Sequence, residues 1–271
     1  RSRGSPKPPA GDGTTERQRF RTMDLDLSSL VDDFFVNMSL QTTLALPHTR
    51  ETILHFCEAV QKEFPEMTSF FQREAEEYVL EGNRETGRYE WLELHPRRMT
   101  AGSFNPHSAE SAYRFHQWLT ERSVYFLGVS GLDIESLDVL FGFNLDFRGN
   151  RDGIVSEALL GGSPLGMLLG GGEGVCLEFE PSIVLAMDDS CSLQARVSIE
   201  THSSSYQVRT GQYDDEPISV YLTVRQYPEP GKVMDLGASM LRQCGQCEDL
   251  TRRLIVPQII RPIAAAIAAA H

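Results

Sequence analysis

The sequence lacks the short motifs that mark most catalytic and nucleotide-binding sites. It contains no Gly-x-x-x-x-Gly-Lys-Ser/Thr phosphate loop, no Gly-x-Gly-x-x-Gly opening a helix after a strand, and no Gly-x-Ser-x-Gly nucleophile elbow. Its seven histidines show no ligand spacing such as His-x-His or His-Glu-x-x-His. These absences exclude the most recognisable enzyme classes, and we therefore expect no cofactor and no bound metal.

Positive charge is also scarce. The chain has 25 Lys and Arg residues against 38 Asp and Glu, a formal net charge of −13. Because phosphate binding needs clustered Lys and Arg, an acidic body argues against broad contact with nucleic acid or an anionic membrane. We expect neither as a partner.

Cysteine is present at five positions, an odd number, in a chain long enough to rely on a hydrophobic core. This usage favours reduced thiols in an intracellular compartment. The first residues contain no apolar stretch typical of a secretory signal, so the sequence predicts a cytoplasmic location. Cys244 and Cys247 form a Cys-x-x-Cys, but the pattern around them is helical, which predicts structural thiols.

The first 22 residues are rich in Pro, Gly and Arg and contain almost nothing apolar except Phe20. Such a composition cannot bury enough surface to offset the entropy of ordering, and it predicts a disordered tail. Patterned sequence begins after Met23, and one interpretation takes Met23 as the native start. A basic arm that binds nucleic acid is the functional alternative.

The pattern of residues 23–150 alternates helices with strands. It predicts these elements: a short helix at 27–35, a strand at 39–46, a helix capped by Thr49 up to Phe64, a hairpin at 78–81 and 89–94, its continuation at 97–104, a helix starting at Asn105-Pro106 or at Ser108, and a central strand at 137–147. The order strand, helix, strand, strand, helix, strand is the βαββαβ arrangement. We therefore predict a ferredoxin-like first half.

Residues 151–271 predict a second half of antiparallel strands and a closing helix. The predicted elements are a helix at 151–160 capped by Asn150 or Asp152, strands at 175–187, 193–201, 205–210 and 218–227, and a helical segment from about Val233 to the end. The protein is thus predicted to be α+β, with an antiparallel β-meander in its second half and a long C-terminal helical segment. An alternative to two units is one continuous domain whose sheet spans both halves.

The best candidate binding cluster follows the central strand, where a rigid strand enters a loop. Besides Asn144, it comprises the predicted ligand-binding residues Asp146, Arg148, Asn150, Arg151 and Asp152. Two arginines beside a helix N-terminus could hold a carboxylate or phosphate. The competing interpretation is local Asp–Arg pairing that closes the strand end, together with a helix cap.

The C-terminal segment carries branched aliphatic residues on one helical face, with Val256, Ile260, Ile263 and Ile267 at helical spacing and mostly Ala elsewhere. Left exposed, it would form an apolar patch, so we expect it to pack on the protein's own sheet or against a second copy.

Two classes of function are consistent with these features of the sequence. The first is a non-enzymatic protein acting by protein–protein binding or homodimerisation. The second is an anionic-ligand binder or an enzyme using the 144–152 cluster.

Overall fold

The computed structural model describes residues 27–47, 49–74, 76–167 and 174–270, so the predicted tail lies outside the described residues. Within them the chain is a mixed structure of helices and strands. The strands are β1 (Asp33–Thr42), β2 (Ser69–Gln72), β3 (Tyr78–Glu81), β4 (Tyr89–His95), β5 (Arg98–Phe104), β6 (Ile134–Leu145), β7 (Ser182–Ala186), β8 (Leu193–Glu200) and β9 (Ile218–Gln226).

In the described part of the chain, six α-helices connect and cover these strands. They are α1 (Arg50–Glu63), α2 (Ala109–Phe126), α3 (Arg151–Leu160), α4 (Ser205–Thr210), α5 (Leu236–Leu250) and α6 (Arg261–Ala270), with a π-helical stretch at Thr251–Ile260 between the last two. Short 3₁₀ turns occur at Leu27–Ser29, Arg84–Thr86 and Pro164–Gly166.

The nine strands form one antiparallel sheet in the order β2-β3-β4-β5-β1-β6-β9-β8-β7. β6 pairs with β9 from Leu145 opposite Ile218 to Leu137 opposite Gln226. The sheet therefore continues across the proposed boundary at residue 150. The division of the chain into two halves stays a prediction.

Three helices begin at cap residues that the sequence offered: Thr49 for α1, Ser108 rather than Asn105-Pro106 for α2, and Asn150 rather than Asp152 for α3. The side chains of Thr49, Ser108 and Asn150 accept backbone N–H bonds in the first turns of α1, α2 and α3. The predicted central strand is β6, whose residues from Leu137 to Leu145 alternate toward a buried face. These elements are confirmed because the signals that specify them act within a few residues.

The helix predicted at 27–35 is wrong beyond its first turn, since β1 begins at Asp33. Phe34 packs its ring against Phe141 and Phe143, whereas the neighbouring Phe35 stacks with Phe104 on the other face. Adjacent side chains on opposite faces are the signature of a strand. Helical spacing of the apolar residues in so short a segment also fits a strand, and the pairing partners decided the outcome.

The strand predicted at 205–210 is also wrong, because these residues form α4. The Ser204 side chain accepts from the Gln207 backbone N–H, and the Gln207 side chain accepts from the Ser204 N–H, which is a capping box. Gly211 ends the helix in the left-handed conformation, at φ 67°. Both signals were present in the sequence.

One face of the sheet carries the hydrophobic core. The inward residues of the central strands, among them Val36, Leu137, Phe141 and Val220, are fully buried beneath the helices. Gln243 of α5 donates 2.6 and 3.1 Å hydrogen bonds to the backbone carbonyls of Leu137 and Val224, which places α5 over the β6–β9 junction. This face is the helical face of the molecule.

The C-terminal helical run packs on the protein itself in part, and 22% of its most apolar stretch is buried. α5 lies on the sheet and on α2, and α6 packs against α3, with Ile260 and Ile263 fully buried. The whole run, Leu236–Ala270, spans 35 residues with a mean hydropathy of 1.4 over its most apolar stretch. By length and composition alone it could cross a membrane, a criterion that apolar core helices also meet.

Candidate functional site

The opposite side of the sheet, which we call the open face, carries a row of aromatic side chains. The register aligns Tyr89, Phe104, Phe35, Gly142 and Tyr221 across β4, β5, β1, β6 and β9. The Phe35 and Phe104 ring centroids are 5.9 Å apart with their planes 17° apart, and Tyr89 lies 5.3 Å from Phe104 at 22°. The three rings are therefore stacked along the row with nearly parallel planes.

Two glycines hold the aromatic rings close to the sheet. A Cβ on Gly142 would overlap the Phe35 ring, and a Cβ on Gly102 would overlap Trp91 Nε1 and Asn37 Oδ1. Glycine inside a strand commonly marks such a close approach. Because the glycines leave this space open, the rings lie across neighbouring strands, and we call Phe35, Phe104 and Trp91 the aromatic floor.

Above this floor the structure has a cavity of about 360 Å³, within the size range of small-molecule pockets. Besides the floor residues, its lining comprises Asn37, Asn144, His202, Glu216, Pro217, Ser219 and Tyr221. The ring of Tyr221 meets Phe35 nearly edge-on, at 65°. The cavity, called the open-face pocket below, thus has an aromatic base and a mostly polar side.

Part of the polar wall, His202, Glu216 and Pro217, comes from the two loops that flank α4, and Arg151 fixes both loops. Its side chain is fully buried, and its guanidinium donates to the carbonyl oxygens of Thr201 (2.6 Å) and His202 (3.0 Å) in the first loop. It also donates to those of Asp214 (3.0 Å) and Glu216 (2.9 Å) in the second. One cation therefore joins the loops that carry the wall residues His202 and Glu216.

Asp152, the next residue, also bonds to the first of these loops. Its Oδ1 accepts from the Thr201 hydroxyl at 2.9 Å and from the Phe179 backbone N–H at 2.7 Å, and the side chain is buried. Glu180 accepts from the Thr201 N–H at 2.8 Å. His202, directly after Thr201, is held at a φ of +51°, a strained conformation for a non-glycine residue that this network stabilises.

The remaining predicted binding residues lie at the surface or at the helix cap. The Arg148 side chain is 73% exposed and reaches Asp215 at 3.9 Å. Asn150 caps α3 and donates to the Cys176 carbonyl at 2.9 Å. The structure thus places Arg151 and Arg148 in different settings, one enclosed by carbonyls and one in solvent.

Acidic groups dominate the strand end beside the pocket. Burial raises the pKa of Asp146, and the nearby carboxylates of Asp32, Asp33 and Asp215 raise it further. The Asp146 backbone N–H donates to Asp32 at 2.7 Å. Anion binding by the 144–152 cluster stays a prediction, and both this negative surrounding and the occupied donors of Arg151 count against it.

Sequence reasoning missed the aromatic floor and the residues of the polar wall, although it included Asn144. Aromatic residues alternate at Tyr89 and Trp91, and isolated glycines interrupt two strand patterns at Gly102 and Gly142. A glycine inside a strand indicates that a neighbouring group comes close to the backbone, and these aromatic side chains were candidates for that group. Which ring lies on which glycine depends on strand order, which the local pattern does not contain.

Other parts of the described chain offer weaker candidates. A wider groove of about 970 Å³ lies between α2 and the start of α5, with Thr120, Tyr125 and Leu241 among its lining. Cys244 and Cys247 are fully buried in α5, where burial raises the pKa of both thiols. Among the described residues, no three His, Cys, Asp or Glu side chains are placed to share a metal ion.

Comparison with known proteins gives no family for this chain, so the pocket is interpreted from its own residues. No protein-family model matches this chain, and no curated protein matches it either.

Proposed function

We propose that this protein is a non-enzymatic binding protein whose open-face pocket holds a small molecule containing a flat ring. The observation that supports this proposal is the aromatic floor, whose Phe35, Phe104 and Trp91 line a cavity of about 360 Å³. An aromatic ring that packs against these side chains gains free energy beyond the area it buries. The amide and hydroxyl groups around the floor would then orient the ligand.

The shape of the pocket argues for a preformed site. Gly102 and Gly142 let the rings lie against the sheet, and Arg151 holds both loops of the wall through four carbonyls. A rigid floor and a fixed wall need little rearrangement, so a ligand loses less binding free energy to ordering the protein.

We also propose a ferredoxin-like unit as the scaffold of the floor. The strands β4, β5, β1 and β6 are neighbours in that order, with α1 following β1 and α2 connecting β5 to β6. This order is compatible with a βαββαβ unit to which β2 and β3 are added at the outer edge. On this view the floor lies on the unit's central strands, and β9 adds Tyr221 from the second half.

Fluorescence of Trp91 gives a direct test, since the chain has only two tryptophans. In a Trp118→Phe background, Trp91 is the sole reporter, and ring-bearing fragments such as benzyl alcohol and theophylline should change its emission in a saturable way. Gly142→Ala should weaken that binding about tenfold or more by displacing Phe35. Gly245→Ala is the matched control, because no atom lies within 4 Å of its added Cβ.

The proposal fails if no fragment changes Trp91 emission up to its solubility limit. It fails equally if Gly142→Ala and Gly245→Ala bind fragments as the parent does, because the floor would then be irrelevant to binding.

Self-association through β7 is a second candidate function. β7 is an edge strand with one neighbour, β8, and its Ile183, Val184 and Leu185 are 54%, 55% and 41% exposed. The strand has neither charge nor proline, the usual protection of a sheet edge. A second copy could pair antiparallel with the same strand, which would give a symmetric dimer.

Size-exclusion chromatography with mass determination tests this candidate. If the protein is a dimer through β7, Val184→Lys should convert it to a monomer, because the charge lies within the paired edge. Val124→Lys, on an exposed valine of α2, should leave the dimer intact. A parent protein that is monomeric at all concentrations would rule out this function.

A further inference from the structure

The free edge of β7 carries backbone hydrogen-bonding groups that have no partner among the described residues. Just beyond the two ends of the β7–β8 ladder, the Ile199 N–H donates to the Pro181 carbonyl at 3.1 Å, and the Met187 N–H donates to the Leu193 carbonyl at 2.8 Å. In an antiparallel pair, residues that bond to the neighbouring strand alternate with residues whose backbone groups point away from it. Because residues 181 and 187 bond to β8, the groups that point away belong to the even-numbered residues Ser182, Val184 and Ala186.

The side chains of β7 make this edge apolar on both faces of the sheet. The register places Ile183 and Leu185 on the helical face and Val184 on the open face, and all three are exposed. Exposed apolar side chains beside unpaired backbone groups are the features by which a sheet edge accepts a further strand. β7 is therefore suited to strand addition.

The other edge of the sheet is less suited to it. At the end of β2, which is only four residues long, the Arg73 N–H donates to the Glu77 carbonyl at 3.0 Å. The same alternation then leaves only Phe70 and Gln72 with groups that point away from β3. Arg73 and Glu74 follow the strand directly, and charge at an edge disfavours further pairing. We therefore expect strand addition at β7 alone.

The outward groups of β7 are complementary to those of a second copy of the same strand. When two copies run antiparallel about a two-fold axis, the most residues are paired if Val184 lies opposite its counterpart. Ser182 then lies opposite the partner's Ala186, and the three outward-facing pairs form about six backbone hydrogen bonds. Sliding one strand by two residues would leave an outward-facing residue at one end without a β7 residue opposite it.

The same register brings apolar side chains together across the axis. On the helical face, Ile183 comes opposite the partner's Leu185, and on the open face Val184 meets its counterpart. Cross-strand pairs of branched aliphatic side chains stabilise a sheet and remove apolar surface from water. A second copy therefore covers both the unpaired backbone groups and the exposed side chains of β7.

We infer that a second copy of this chain pairs with β7 in this register, so that two nine-stranded sheets continue into one another around a two-fold axis at Val184. This inference rests on the self-association proposed above and specifies its interface. Because the paired segment is only five residues long, the dimer is weak and forms in the micromolar range of concentration or above it.

Cysteine cross-linking of the full chain tests the register. The background variant carries Cys176→Ser and Cys191→Ser, and its three remaining cysteines are buried. Under mild oxidation Val184→Cys should form a disulfide-linked dimer, because Cα atoms directly opposite one another are about 5.5 Å apart, within the reach of a disulfide.

Two neighbouring positions and one distant position complete the cross-linking experiment. Ile183→Cys alone and Leu185→Cys alone should cross-link slowly, because like residues lie diagonally across the axis, about 8 Å apart. An equimolar mixture of these two variants should give the mixed dimer, which mass spectrometry identifies. Val124→Cys, at an exposed site on α2, is the matched control for random collision and should stay monomeric.

Proline substitution tests the backbone hydrogen bonds. Proline at position 184 removes an N–H that points away from β8, so the β7–β8 ladder keeps its bonds. In sedimentation equilibrium, Val184→Pro should weaken dimerisation at least about tenfold, since each copy loses a donor at the axis. Val184→Thr, which has a similar shape and keeps the N–H, is the matched control and should dimerise within about threefold of the parent. Circular dichroism and melting temperatures show whether each variant keeps the fold, and cross-linking tests the inference even if Val184→Pro does not.

The outcomes separate this inference from the self-association on which it rests. If Ile183→Cys or Leu185→Cys cross-links with itself faster than Val184→Cys, the register is wrong, although self-association through β7 stands. Equal dimerisation of the parent and a folded Val184→Pro variant also overturns the inference, because the backbone groups would then not be paired. Cross-linking of Val124→Cys as fast as Val184→Cys does the same. A parent protein that is monomeric at all concentrations overturns both the inference and the self-association.

Discussion

Replacing Arg151 by Met should both destabilise the protein and disorganise the open-face pocket. The side chain is fully buried and donates four hydrogen bonds to carbonyls in two loops that are distant in sequence. Methionine fills a similar volume but donates nothing, so the four carbonyls lose their shared partner. The loops that present His202 and Glu216 would then separate.

The size of the effect follows from these contacts. A hydrogen bond to a charged group contributes about 1.5–3 kcal/mol, but removing Arg151 also removes the cost of burying its charge. The bond to Thr201 is fully buried, whereas the other three are partly buried and water can replace them in part. We therefore expect a loss of about 3–5 kcal/mol in the free energy of unfolding, or roughly 6–20 °C in Tm.

Urea unfolding and thermal melts measure the stability, and Trp91 fluorescence in the Trp118→Phe background measures fragment binding. Arg148→Met is the matched control, since that side chain is 73% exposed and should change Tm by no more than about 2 °C. Equal melting temperatures for the two variants would refute the assigned role of Arg151. So would a destabilised Arg151→Met variant that binds fragments with unchanged affinity when folded, because the wall would then not depend on the arginine.

Three further predictions concern the helical face. His116 is fully buried, none of the described residues hydrogen-bonds to its ring nitrogens, and burial lowers its pKa from 6.5 to about 3. As the pH falls, the imidazole of residue 116 takes up a proton in the unfolded chain before it does so in the folded protein. The parent protein should therefore lose about 2 kcal/mol of unfolding free energy between pH 8 and pH 5, and a His116→Leu variant should not. Denaturant titrations at both pH values measure this loss, and an identical pH dependence in parent and variant would contradict the prediction. The exposed His55→Leu variant is the control. Burial raises the pKa of the Cys244 and Cys247 thiols. In the native protein at pH 8 they should therefore react with Ellman's reagent far more slowly than the exposed Cys191. Rapid labelling of Cys244 or Cys247 in a Cys191→Ser variant would contradict this prediction, because it would mean that solvent reaches these thiols in α5. Finally, the Tyr113 hydroxyl donates to Glu248 at 2.8 Å in the interior, so Tyr113→Phe should cost about 1–3 kcal/mol. Tyr125→Phe, at a 79% exposed site, should cost almost nothing, and equal losses in the two variants would mean that the bond contributes nothing.

Several elements of the fold could be predicted from the sequence because their signals are local. Thr49, Ser108 and Asn150 cap helices through bonds that span only three residues. The alternation from Leu137 to Leu145 specified a strand whatever its neighbours were. The capping box at Ser204 was equally local, and predicting a strand there overlooked it.

The candidate site depended on long-range contacts. Phe35, Trp91 and Phe104 meet only because β1 pairs with β5 and β5 with β4, while His202 and Glu216 arrive from loops more than 95 residues later in the chain. The alternation of polar and apolar residues along a strand does not specify which strand will pair with it. The floor was therefore beyond the reach of pattern analysis, although its glycines and aromatic residues were visible.

Arg151 illustrates the difference between composition and placement. The sequence by itself determined a polar cluster after the central strand, a helix cap at Asn150 or Asp152, and an arginine at the start of that helix. Only the tertiary structure decided that this guanidinium faces inward toward the carbonyls of Thr201, His202, Asp214 and Glu216, while Arg148 faces solvent. The physical reason is that the loops on both sides of α4 fold over the start of α3, and a buried cation stays where the most acceptors surround it.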